Sequence, residues 1–159
     1  MRMRVSGAPG TGKSTLAHAL APAIGCPVVS RDEIREGIVH AGTPDPELRH
    51  SYRTFVDTVT ALVTAGVTVI AEAAFQDHNW RPLLGFPGTR VIRCVATPEV
   101  ARGRVLVRAA HPGTPLGVRE WVPIRAPLPT LEVDTTDGYA PAFEEIVAFL
   151  SGPPQTPLG

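Results

Sequence analysis

Between residues 7 and 15 the chain reads Gly7-Ala8-Pro9-Gly10-Thr11-Gly12-Lys13-Ser14-Thr15, which fits the phosphate-binding loop pattern G-x-x-x-x-G-K-[ST]. This segment constrains the fold more than any other, because such a loop needs a strand to deliver it and a helix to receive it. Both are present: Arg4-Val5-Ser6 reads as the end of a strand, and Leu16-Ala17-His18-Ala19-Leu20 as a helix. Gly7, Gly10 and Gly12 permit backbone angles and close approaches that a Cβ would block, so successive N–H groups can turn toward an anion. Lys13 is the single lysine among fourteen arginines. A slim ammonium threads between the β- and γ-phosphates of a nucleotide, whereas a planar guanidinium fork is too wide for that slot. Ser14 offers its hydroxyl to Mg²⁺ and Thr15 to the α-phosphate. The pattern predicts that the chain binds a nucleoside triphosphate.

The rest of the chain supplies an α/β frame. With 159 residues it suits one domain with a real core. Apolar runs alternate with helical stretches, the signature of a parallel sheet covered by helices. Strands are expected at 2–6, 27–30, 67–72, 90–96 and 130–134. Helices are expected from Lys13 to about Ile24, from Arg31 to His40, from an Asp45-Pro46-Glu47 start, from Thr97-Pro98-Glu99 and from Pro141 to Leu150, with Pro22 placed to kink the first. Residues 111–129 carry many prolines and glycines and read as a loop in the position of a lid. The domain is expected to span 1–151 with its lid at about 109–129, followed by a disordered tail at 152–159. Two arginines in the first strand, Arg2 and Arg4, depart from the apolar pattern of a central strand and suggest fraying or a position at the sheet's lower end.

Acidic and basic residues balance at fifteen each, so no net field recruits nucleic acid or a membrane. Cys26 and Cys94 have no metal or redox spacing and read as reduced thiols. Six residues precede the loop, too few for a signal peptide, and no apolar run reaches membrane-spanning length. A cytoplasmic location is the expectation.

In open α/β sheets, ligands bind beyond the carboxyl ends of the strands. Asp32, just after the second strand, is a candidate base for an attacking hydroxyl, or else a helix N-cap. Glu72 ends the third strand, where an acid holds Mg²⁺ directly or through water, or contacts substrate. Phe75 and Trp80 either stack on a substrate ring or pack in the core. Arg104 and Arg108 share a helix face, from which both could neutralise charge on a triphosphate; a solvated basic face is the plainer alternative.

These residues resemble the zeta-toxin and polynucleotide-kinase-like group of small, AAA-domain-containing P-loop kinases. The likeness rests on the loop at 7–15, Ser-Arg-Asp-x-Ile-Arg at 30–35, Ala-Glu-Ala-Ala-Phe at 71–75, and Pro98-Glu99 followed by Arg104 and Arg108. It implies a three-layer sandwich with a five-stranded parallel sheet in the order 2-3-1-4-5 and a short lid. It also implies ATP and Mg²⁺, with Mg²⁺ on Ser14 and on Asp32 or Glu72. By the same likeness Lys13, Asp32, Arg104 and Arg108 are catalytic, and Arg35 contacts a substrate phosphate beside Glu72 and Phe75. The leading expectation is phosphoryl transfer to a hydroxyl of a small molecule. A polynucleotide 5′-hydroxyl acceptor, motivated by Arg35, Arg49 and Arg53, and a nucleotide switch or ATPase without an acceptor are the rivals. A hexameric motor is disfavoured, since the chain lacks a Walker B Asp-Glu pair and a helical lid domain.

Overall fold

The computed structural model describes residues 2–46, 48–108 and 121–153. Their order is β1 (Arg2–Gly7), α1 (Lys13–Ile24), β2 (Val28–Ser30), α2 (Arg31–His40), α3 (Arg49–Thr64), β3 (Val69–Ala73), α4 (Asp77–Leu84), β4 (Thr89–Val95), α5 (Pro98–Arg108), β5 (Thr130–Asp134) and α6 (Phe143–Ser151). All strand pairs are parallel, and the five strands lie in the order β2-β3-β1-β4-β5. The expected sheet order is therefore the observed one. β1 sits at the centre and pairs from its first residue, Arg2 with Val69 on one side and Thr89 on the other. The backbone at Arg2 is thus not frayed; the side chains of residues 2–4 lie outside the described residues.

Alternation along the strands divides the core into two layers. On one face Val69, Ala71, Ala73 and Val91 meet Phe55, Val59 and Val63 of α3 and Trp80 and Leu83 of α4. On the other, Val5, Ile70, Ile92, Cys94 and Val133 meet Leu16, Ala17 and Leu20 of α1 and Ile146 and Leu150 of α6. Helices cover both faces because each strand alternates apolar residues toward opposite sides, and neither side can be left to water.

The local signals are readable in most places. α1 runs unbroken through Pro22 and stops at Gly25, whose φ of 79° closes the helix with a bond to the Ala21 carbonyl. Pro98 opens α5 at its first position, as expected. Two expectations need correction. The third helix begins at Arg49, with Leu48 in the left-handed region (φ 58°), so Asp45 is not its N-cap residue. Asp45 still serves the helix from four residues upstream, accepting from the amides of His50 (3.0 Å) and Ser51 (3.3 Å). Expected strand limits also shift: the third strand starts at Val69 and runs through Ala73, and α6 begins at Phe143. Helix α4 was missed, since its eight residues include Pro82 and follow an apolar strand without a clear break.

Residues 121–129 are held against the domain. The indole of Trp121 donates to the Phe75 carbonyl (3.2 Å), Val122 N–H donates to Gln76 Oε1 (2.6 Å), and Arg125 N–H donates to Asp77 Oδ1 (2.8 Å). Arg93 donates to the Ile124 carbonyl at 3.1 Å, and Ile124 is buried. This part of the expected lid is a strap across the end of β3 and the start of α4. Residues 109–120, the remainder of that expected lid, lie outside the described residues, as do 154–159 of the expected tail. Among the described residues, no helix is long and apolar enough to cross a membrane.

Candidate functional site

The phosphate loop connects the central strand to α1 and opens at the carboxyl edge of the sheet. Gly10 (φ 81°) and Gly12 (φ 71°) adopt the left-handed conformation that a side chain resists. Thr11 braces the turn, its hydroxyl donating to the Ala8 carbonyl at 2.7 Å. Gly12 is the N-cap of α1 and has no side chain to cap it, which leaves the first-turn amides of Lys13, Ser14 and Thr15 for an anion. A Cβ on Gly7 would sit 2.4 Å from Thr11 Oγ1, and one on Gly10 2.2 Å from the carbonyl oxygen of Ala101 in α5. The glycines therefore serve close packing as well as turning.

Lys13 is 1% exposed, and its ammonium lies 3.9 Å from Oε1 of the fully buried Glu72. Glu72 accepts a 2.7 Å hydrogen bond from Ser30 on its other oxygen, while Oε1 is buried without a hydrogen-bond partner. Register explains the meeting, since Ser30 of β2 stands beside Glu72 of β3, which stands beside Val5 of β1. Ser30 is also the N-cap of α2, accepting from the amide of Glu33. One chain of polar contacts thus runs from the phosphate loop to the start of α2.

Asp32 occupies the first turn of α2. Because Ser30 caps the helix, Asp32 is free of that duty, and the N-cap alternative is set aside. Its carboxylate is 43% exposed and accepts from Arg31 at 3.2 Å. Arg31 lies with its guanidinium carbon 5.5 Å from the centre of the Phe75 ring. Phe75 is itself buried and touches Tyr52, Phe55 and Trp80, with ring centres 5.2, 5.0 and 5.4 Å away. Of the two alternatives for Phe75 and Trp80, core packing is the one seen: both belong to the aromatic core, and the group over the Phe75 ring is Arg31.

Arg104 and its neighbours form the opposite flank. Its guanidinium donates to the Gly10 carbonyl (3.3 Å), to Thr135 Oγ1 (3.1 Å) and to the Thr135 carbonyl (2.6 Å). Thr135 in turn donates to the Thr11 carbonyl at 2.7 Å. A cavity of about 570 Å³ opens here, lined by Thr15, Arg104, Val107, Thr135, Gly138 and Tyr139 among others. Arg104 thus ties α5 to the loop and to the segment after β5. The backbone of Arg108 continues the same helix, but its side chain lies outside the described residues. Sequence reasoning missed Arg31 and Thr135. Thr135 carries no motif of its own; Arg31 stands in the Ser-Arg-Asp-x-Ile-Arg segment but was given no role.

Beneath the loop, Cys94 is buried, and desolvation pushes its thiol up to about 12 against the opposing pull of Lys13. It is a core residue, as its apolar run suggested. Among the described residues, no group of three or more His, Cys, Asp or Glu side chains could by itself hold a metal.

A central strand that feeds a glycine loop into a helix, within a parallel 2-3-1-4-5 sheet, defines a P-loop nucleotide-triphosphatase fold of the kinase-like class. The crystal structure of a presumptive kinase from Chloroflexus aurantiacus superposes with a TM-score of 0.77 at 27% identity, covering 94% of this chain and 95% of the other. An unliganded sugar kinase from a Janibacter species (TM-score 0.70, 22% identity, 96% and 95% covered) and a gluconokinase from Sinorhizobium meliloti (0.62, 20%, 94% and 91%) share the fold. The chain belongs to the AAA domain family, whose model matches residues 4–123. Uncharacterized proteins of Mycobacterium tuberculosis and Mycobacterium bovis are 30% identical over 124 residues, 66% of this chain. The chain spans about a quarter of the length of these curated relatives.

Proposed function

We propose that the protein is an ATP-dependent phosphotransferase that phosphorylates a hydroxyl of a small molecule. The observation that carries this reading is the Lys13–Glu72–Ser30 chain, which couples the phosphate loop to the helix whose first turn presents an uncapped, half-exposed Asp32. A simple nucleotide switch has no use for a half-exposed carboxylate there. The likeness to the Chloroflexus protein supports the same class.

In this reading Lys13 and the loop amides up to Thr15, Pro9 having none to give, hold the β- and γ-phosphates. Ser14, with Asp32 or Glu72 directly or through water, would hold Mg²⁺, and the ion would supply charge stabilisation to the transferring phosphoryl group. The unpartnered oxygen of Glu72 fits a water of that ion or the Lys13 ammonium drawn closer. Asp32 accepts the proton of the acceptor hydroxyl, whose oxygen bonds to the γ-phosphorus as the bond from that phosphorus to the β–γ bridging oxygen breaks. ADP leaves with that electron pair, and the proton passes from Asp32 to solvent.

Arg104 takes a different part from the one first expected. Its three bonds to loop and strand-end oxygens tie it to the cavity beside Thr135. It supports the base and ribose end of the nucleotide, and Lys13 carries the transferred charge. Arg108 remains a candidate for the transfer itself. The test is label transfer from γ-labelled ATP to hydroxylated metabolites, with Asp32→Asn as the control. Turnover surviving in that variant refutes the role of Asp32.

A further inference from the structure

Thr135 follows β5 directly, and its backbone is held at both polar groups. Its amide donates to the Val95 carbonyl (2.8 Å), which extends the β4–β5 ladder, and its carbonyl accepts from Arg104 (2.6 Å). The residue is 3% exposed, so its hydroxyl has a fixed place. That hydroxyl has one proton to give. The Thr11 carbonyl takes it at 2.7 Å, because the Val95 carbonyl, at 3.2 Å, already has the amide of the same residue. The hydroxyl oxygen in turn accepts from Arg104 Nη1 at 3.1 Å. Among the described residues no backbone amide donates to the Thr11 carbonyl, and the Thr135 hydroxyl is its partner.

A trans peptide carries its C=O and N–H on opposite sides. With the Thr11 carbonyl drawn to Thr135, the Gly12 N–H must point away from it, and it meets no acceptor among the described residues. The first-turn amides of α1 follow at once, so a row of unmatched donors begins at Gly12. Arg104 sets the preceding peptide in the same way. The Gly10 carbonyl accepts from Nη1 at 3.3 Å, and the Thr11 N–H closes the turn onto the Ala8 carbonyl at 3.3 Å. Gly12 permits the close approach, since a Cβ there would stand 3.3 Å from Arg104 Nη1 and 3.6 Å from Thr135 Oγ1. Thr11 is buried, so without the Thr135 hydroxyl its carbonyl would be an unmet acceptor, and a peptide that turned to find another donor would take the Gly12 N–H out of the row. Resting on the nucleotide binding of the proposed function, we propose that Thr135 is a positioning residue for the phosphates: its hydroxyl holds the Thr11–Gly12 peptide in the orientation that presents the Gly12 amide to them. Thr135 also lines the cavity beside Arg104, so a role through the nucleotide base is the rival to exclude.

Calorimetric titration with Mg-ATP and with Mg-tripolyphosphate, which fills the loop but has no base, separates the two. Thr135→Val keeps the volume and removes the donor; Thr135→Ser keeps the donor. Both ligands should bind Thr135→Val about tenfold or more weakly, and Thr135→Ser within about twofold of the parent, as the loss and the rescue of one oriented hydrogen bond. Should Thr135→Val not fold, Thr135→Ala takes its place with the same expectation. Thermal unfolding of the ligand-free proteins is measured alongside. A lower Tm with unchanged affinities marks a merely structural hydroxyl and overturns the proposal. Weakening of ATP alone overturns it by placing Thr135 at the base, and a Thr135→Ser variant as weak as Thr135→Val overturns it by assigning the effect to shape. A parent that binds neither ligand ends both the proposal and the nucleotide reading. Should the parent bind both yet pass label to no hydroxyl, the phosphotransferase reading fails while the affinities of the variants still decide the part of Thr135.

Discussion

Gly10 joins the phosphate loop to α5, and Gly10→Ala tests whether that contact shapes the loop. At φ 81° the substitution places a Cβ in the left-handed region, at a cost of about 1.5 kcal/mol. The new atom would also lie 2.2 Å from the Ala101 carbonyl oxygen and 2.9 Å from its carbon, so backbone must move; overpacking of this kind costs about 2 kcal/mol. Together these give about 3.5 kcal/mol and, for a domain of this size, a fall in Tm of about 10 °C. Gly25→Ala is the control. Its φ is 79°, but a Cβ there meets nothing within 4 Å, so the conformational part alone, a fall of about 4 °C, is expected. Both variants are measured by thermal unfolding and by titration with a fluorescent ATP analogue. Gly10→Ala should bind the analogue about tenfold or more weakly, since the loop amides move with residue 10; Gly25→Ala should bind normally. Equal melting of the two, with nucleotide affinity kept in both, refutes the reasoning.

Asp32→Asn should retain ATP binding and lose transfer by about two orders of magnitude or more, read as turnover beside analogue titration. Lys13→Ala should lower turnover by about a hundredfold or more, like the loss of a preorganised donor. Arg90 donates to the carbonyls of Phe149, Gly152 and Pro153 and closes the carboxyl end of α6, so Arg90→Met should destabilise the fold by about 3 kcal/mol in urea unfolding. For Asp45, burial pushes the carboxyl upward, but the contacts from Ser51, His50 and Arg35 outweigh it and leave the pKa lowered. Its contribution is therefore present above the ordinary carboxylate range and disappears as pH falls through the lowered folded value. Asp45→Asn should cost about 1 kcal/mol near neutrality, and the gap to the parent should close in acid, as followed by unfolding at a series of pH values.

What the sequence disclosed depended on whether a signal was local. The loop at 7–15, the glycine stop at Gly25 and the proline start at Pro98 each act within a few residues, and the structure has them where they were expected. The strands were legible as apolar runs, and their order came from the family likeness. Asp45 shows how a local rule fails: its carboxylate caps α3, but across an intervening turn with Leu48 left-handed, a geometry that the Asp-Pro-Glu pattern does not encode. Arg104 shows what spacing leaves unsaid. Spacing put it on a helix face, but what it meets, the oxygens of Gly10 and Thr135, depends on how α5 and β5 flank the loop.

The same distinction divides the two flanks of the loop. On the α5 side the described groups satisfy one another: Arg104 has three acceptors, and Thr135 bridges the Thr11 carbonyl and that guanidinium. On the α2 side they do not, for Glu72, Arg31 and Arg35 each keep a buried polar atom unmatched. Packing in a folded domain ordinarily matches such atoms, because each unmatched one costs stability. A finished flank beside an unfinished one is the pattern expected when the unfinished side completes its hydrogen bonding with a ligand.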